Sequence, residues 1–136
     1  MSIYPYSNSY EKWAPFVARL VFGFQFLLGA WFKVPGTAGF TAEAGMTAAA
    51  GVPFATVMVA LAFLLEVVCG VALIIGWHTR RAAFVLAIFT LALAFIFYRN
   101  ITDIQTMGMF VSHLGFVAGL LYVSVYGAKS VAISRD

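Results

Sequence analysis

FATVMVALAFLLEVVCGVALIIG, from Phe54 to Gly76, decides the fold of this chain. It is long enough to cross a bilayer, which takes about 20 apolar residues in a helix, and Glu66 is its only charged residue. A carboxyl near the midplane of such a helix needs a partner, a proton or a water-filled cavity. Composition points the same way: 63% of residues are hydrophobic and 10% charged, against about 25% charged in soluble domains, and the mean hydropathy is +0.97. The chain is therefore read as an all-α integral membrane protein. Its 136 residues hold one four-helix transmembrane bundle, a single membrane domain over 1–136, with no room for a separate soluble domain. The net charge of +3 sits in flanks around spans and forms no basic strip, which excludes a nucleic-acid footprint.

Working outward from that segment gives spans at about 14–33, 54–76, 82–98 and 109–126. Pro15 falls in the first turn of the first span, where a helix tolerates it. Between the first two spans, VPGTAGFTAEAGMTAAAGVP is too broken by Gly and Pro to cross, and a short interfacial helix is expected around Ala42–Ala50. WHTRR, at Trp77–Arg81, makes a tight cationic turn. The opening MSIYPYSNSYEKWAP lacks a basic stretch leading into an apolar core, so no cleaved signal is expected. Four spans put both termini on one side. That side pools Lys12, Arg80, Arg81, Lys129 and Arg135 against Lys33 and Arg99 on the other, so both termini are expected in the cytoplasm. Trp13, Trp31, Trp77, Tyr98 and Tyr126 mark the expected headgroup levels.

The polar residues inside the spans carry the functional signal. Arg19, Gly23, Phe26, Ala30 and Lys33 share one face of the first helix, and Glu66, Gly70, Leu73 and Trp77 share one face of the second. If those faces meet, the depths predict an Arg19–Glu66 contact with Gln25 as a hydrogen-bonding neighbour. That pair either fixes helix register or serves a ligand. Arg19, Gln25, Lys33, Glu66 and His113 are the candidate ligand-binding or proton-path residues, with no confident catalytic residue among them. Gly23, Gly29, Gly70, Gly115 and Gly119 are candidates for helix packing, the last two as a GxxxG. His113 has no second ligand at metal-binding spacing, so no metal site is expected. Cys69 is the only cysteine, which excludes an intrachain disulfide and fits an inert packing thiol.

These residues resemble the DoxX family of small bacterial and archaeal membrane proteins. The likeness rests on Arg19, Gly23, Phe26, Gly29 and Lys33, on Gly51–Pro53, and on Glu66, Gly70, Gly76, Thr79 and Arg80. Ser112-His113 stands where the family often has a Lys-Asn pair. The resemblance implies a bacterial or archaeal cytoplasmic (inner) membrane and association with redox chemistry. Some members look like the small subunit of a thiosulfate:quinone oxidoreductase, and others like an anchor joining thiol- and superoxide-detoxifying proteins.

The leading expectation is a subunit of a redox-associated complex offering an intramembrane pocket to a quinone-like or other amphipathic ligand. No covalent cofactor is expected; a quinone is the candidate. If the protein takes part in catalysis, a partner protein has to supply the redox centre. The alternative is a non-catalytic scaffold, anchor or assembly chaperone, with a protein partner or a homo-oligomer beside the membrane lipids. A small transporter ranks last, since four spans are few for a carrier.

Overall fold

The computed structural model describes residues 8–129 and 131–134. It contains five helices, α1 Asn8–Trp31, α2 Ala38–Ala49, α3 Ala55–Ile75, α4 Thr79–Phe97 and α5 Ile104–Tyr126, and no strand among the described residues. Four of them are long and apolar enough to cross a membrane, so the molecule is a four-span bundle with one short helix between its first two spans. Arg135, counted among the flanking cations, lies outside the described residues.

Helix boundaries differ from the hydropathy reading where polar residues continue a helix beyond its apolar stretch. α1 begins at Asn8, so Pro15 lies inside the helix and not in its first turn. Thr79–Arg81 form the first turn of α4, leaving a shorter turn than WHTRR suggested. α5 starts at Ile104, five residues before Met109, because the Asp103 side chain accepts a hydrogen bond from the Thr106 backbone N–H and caps it. α2 likewise starts early, where the Thr37 hydroxyl accepts from the Phe40 N–H.

The helices form a ring. α4 packs along α5 and α1 along α3, α3 and α4 join the two pairs, and α1 meets α5 only briefly. Of the other four, only α3 is packed by α2. Lipid tails are as apolar as Leu, so burial alone does not drive spans together and close backbone approach matters more. The buried core is correspondingly small-sided, with Ala72, Ala82, Ala83 and Ala87 around Leu73, Leu86 and Leu120. Val17, Val21, Phe24 and Leu28 form the exposed stripe of α1, whereas Arg19, Gly23, Phe26 and Ala30 are buried on its other side.

Gly23 and Gly70 set the α1–α3 crossing: a Cβ on Gly23 would lie 2.7 Å from the Gly70 carbonyl oxygen. At the far end of α3, Gly76 turns the chain with φ +72°, a left-handed conformation that suits glycine. A strap formed by residues 131–134 lies across this turn. Ile133 and Ser134 donate backbone hydrogen bonds to Ile75 and Gly76 at 3.1 and 3.2 Å.

Candidate functional site

Glu66 sits in the middle of α3 with 3% of its surface exposed. Its carboxylate lies against Gly29, where a Cβ would come within 3.2 Å of Oε1, so the missing side chain makes the space it occupies. Lys33 follows the end of α1, held by a backbone hydrogen bond to the Ala30 carbonyl. Its side chain folds back along the helix, and Nζ donates to the Gly29 carbonyl at 3.3 Å and to Glu66 Oε1 and Oε2 at 3.3 and 3.2 Å. Glu43 on α2 approaches the same ammonium at 3.8 Å, which is an ion pair but not a hydrogen bond. One cation thus serves two carboxylates of unequal rank: Glu66 is enclosed and fully engaged, and Glu43 is looser and 29% exposed.

Glu66 therefore pairs with Lys33 and not with Arg19. In the antiparallel α1–α3 pair Gly23 opposes Gly70, which brings Gly29 beside Glu66 and sets Arg19 beside the C-terminal end of α3. Arg19 and Gly29 are ten residues apart, about 15 Å along a helix, too far for the expected contact. The face was readable from spacing; the axial offset was not. Arg19 is 1% exposed and donates to the carbonyls of Leu73 at 3.4 Å and Val131 at 2.8 Å. A cation beside α3's terminal carbonyls also complements the helix dipole.

The other candidates stay apart from this cluster. Gln25 is half-buried in α1, and its side chain makes no hydrogen bond among the described residues. The His113 Nδ1–H donates to the Met109 carbonyl of its own helix at 2.8 Å, and the ring packs on Tyr98 and Phe116; none of these contacts reaches Lys33, Glu43 or Glu66. Gly119 is pressed by the Phe22 ring, whereas Gly115 has open space around it, so only half of the GxxxG faces a helix of this chain. Among the described residues no group of three His, Cys, Asp or Glu could hold a metal ion.

Glu43 was missed from sequence. Its signal is that it is the only charged residue between Val34 and Pro53, a segment otherwise made of small and apolar side chains. Thr47, one turn on, fixes the local helix by donating its hydroxyl to the Glu43 carbonyl at 2.7 Å. Beside these residues opens a cavity of about 250 Å³ between α2, α3 and α4. Lys33, Glu43 and Thr47 supply its polar side chains, and apolar residues such as Leu65, Phe89 and Leu93 supply the rest.

A four-span helical membrane protein with a buried ion-pair cluster beside an apolar cavity is thus on hand. The chain belongs to the DoxX family, whose sequence pattern matches residues 14–99, a stretch that includes Lys33, Glu43 and Glu66 but not His113. It is also 34% identical over 119 residues, covering 88% of each chain, to the inner membrane protein YqjF of Escherichia coli (strain K12). No solved structure matches. Family and fold together make this a multi-pass membrane protein.

Proposed function

We propose that the protein is a subunit of a redox-associated membrane complex and holds a quinone-like, amphipathic ligand in the cavity beside Lys33 and Glu43. The observation that carries this is the cavity itself, with apolar walls and its few polar side chains gathered where α1, α2 and α3 meet. Small-molecule sites have this make-up. Its volume of about 250 Å³ is just under the roughly 300–1,000 Å³ of typical sites, which suits a single ring whose tail runs out into lipid. A bound quinone would supply electron and proton carriage, with the electrons coming from a partner's centre. The chain's own residues orient the ring and exclude water from it.

The test is lipid extraction after purification in mild detergent, with Ala62→Trp, which fills the cavity, as the comparison. Quinone recovered with the parent and lost from a stably folded Ala62→Trp protein supports the proposal. No quinone from the parent, or equal recovery from both, overturns it.

A second reading, a non-catalytic anchor or scaffold, is favoured by the open space around Gly108 and Gly115 on exposed positions of α5, where another helix could approach closely. A stoichiometric protein partner copurifying with an empty cavity would support it. The charge distribution further supports cytoplasmic termini: Lys12, Arg80, Arg81 and Lys129 gather at the end of the bundle where α1 begins and α5 finishes.

A further inference from the structure

Hydrogen-bonding capacity inside the cavity is one-sided. A lysine ammonium has three donors and no acceptor, and Lys33 Nζ has three acceptors already, Glu66 Oε1, Glu66 Oε2 and the Gly29 carbonyl. The Thr47 hydroxyl proton is likewise engaged, at 2.7 Å from the Glu43 backbone carbonyl. Glu43's carboxylate has its nearest cation at 3.8 Å and accepts no hydrogen bond among the described residues. The remaining lining side chains are all apolar. The cavity therefore presents an acceptor with spare lone pairs and no unengaged side-chain donor.

We infer that Glu43 makes the cavity selective for a ligand that donates a hydrogen bond. Resting on the quinone-like reading above, this means the reduced, hydroxyl-bearing hydroquinone in preference to the oxidised quinone. A quinone ring carries only carbonyl acceptors, which would face a carboxylate with no proton between them. A hydroquinone hydroxyl donates to that carboxylate, a charge-assisted hydrogen bond of the stronger kind. One such bond corresponds to about a ten- to hundredfold difference in affinity. Were the Lys33 ammonium not engaged by Glu66, the preference would run the other way, so the buried pair sets the selectivity through Glu43.

The experiment measures binding of a decyl-tailed benzoquinol and of the corresponding quinone, under anaerobic conditions, to the full chain in nanodiscs. The parent is expected to bind the quinol at least about tenfold more tightly. Glu43→Gln, whose amide both donates and accepts, should gain affinity for the quinone and lose most of the preference. Both signals should vanish in Ala62→Trp, which separates cavity binding from partition into the bilayer. Equal binding of the two forms by the parent, tighter binding of the quinone, or a preference that survives Ala62→Trp overturns the inference and leaves the pocket reading to its own test. Binding of neither form overturns both. Should Glu43→Gln fail to fold, the ratio measured on the parent still decides.

Discussion

Lys33 and Glu66 hold each other in place within an environment that offers neither a better partner. Breaking a buried pair from one side leaves an uncompensated charge, which costs about 3–5 kcal/mol. Lys33→Met should therefore lower stability in detergent by that amount, because Glu66 is only 3% exposed. Glu66→Gln should cost less, since the amide still accepts from Lys33, and adding it to Lys33→Met should restore part of the loss. Thermal unfolding of the four proteins checks this, and a Lys33→Met protein as stable as the parent would contradict it. Glu66, Lys33 and Arg19 were legible as intramembrane polar residues because a charge stands out among Val, Leu and Phe. Their pairing was not, since spacing of three and four gives a helix face and says nothing of how far one helix slides along its neighbour. Glu43 was overlooked because α2 does not span, and a charge outside a span draws no attention.

At the level of the helices, that slide is set by Gly23 and Gly70. A side chain at Gly23 would meet Ile74 Cγ1 at 2.5 Å as well as the Gly70 carbonyl, so Gly23→Val should force α1 and α3 apart. The expected loss is roughly 1–3 kcal/mol, in the range for overpacking, whereas Gly115→Val on α5, with nothing within 4 Å, should be nearly neutral. Comparing their unfolding midpoints separates a packing glycine from a surface one; equal effects would argue against the crossing. The start of α5 gives a pH-dependent test. The Thr106 backbone N–H and hydroxyl hold the Asp103 carboxyl below its ordinary range. A lowered folded value means that the stabilisation is complete above the unfolded pKa of about 4 and fades as pH falls through the lower folded one. The stability gap between the parent and Asp103→Ala should thus be constant near neutrality and close in acid. α5 was expected to start at Met109 because hydropathy rises there, yet Asp103 and Thr106 show that a cap, and not apolarity, fixes where a helix begins.

For the whole molecule, the number of spans was readable and their arrangement only in part. The polar faces of α1 and α3 pointed those two spans at each other, but with lipid as apolar as the neighbouring helices no stripe in the sequence says that α4 lies on α5. The charge census does make a prediction about sidedness. A reporter inserted near Asn100, between α4 and α5, should read periplasmic, and one fused after Asp136, itself outside the described residues, should read cytoplasmic. The opposite pair of readouts would invert the bundle. The order of synthesis adds a consequence. Arg19 is joined to the Val131 carbonyl across 112 residues of chain, so the arginine enters the membrane long before one of its acceptors has been translated. Until residue 131 has left the ribosome, the guanidinium does without that carbonyl. Residues 131–134 thus add a bond to the first helix late, and a message cut short before them would yield four intact spans with α1 still packed on α3 but Arg19 short of one acceptor.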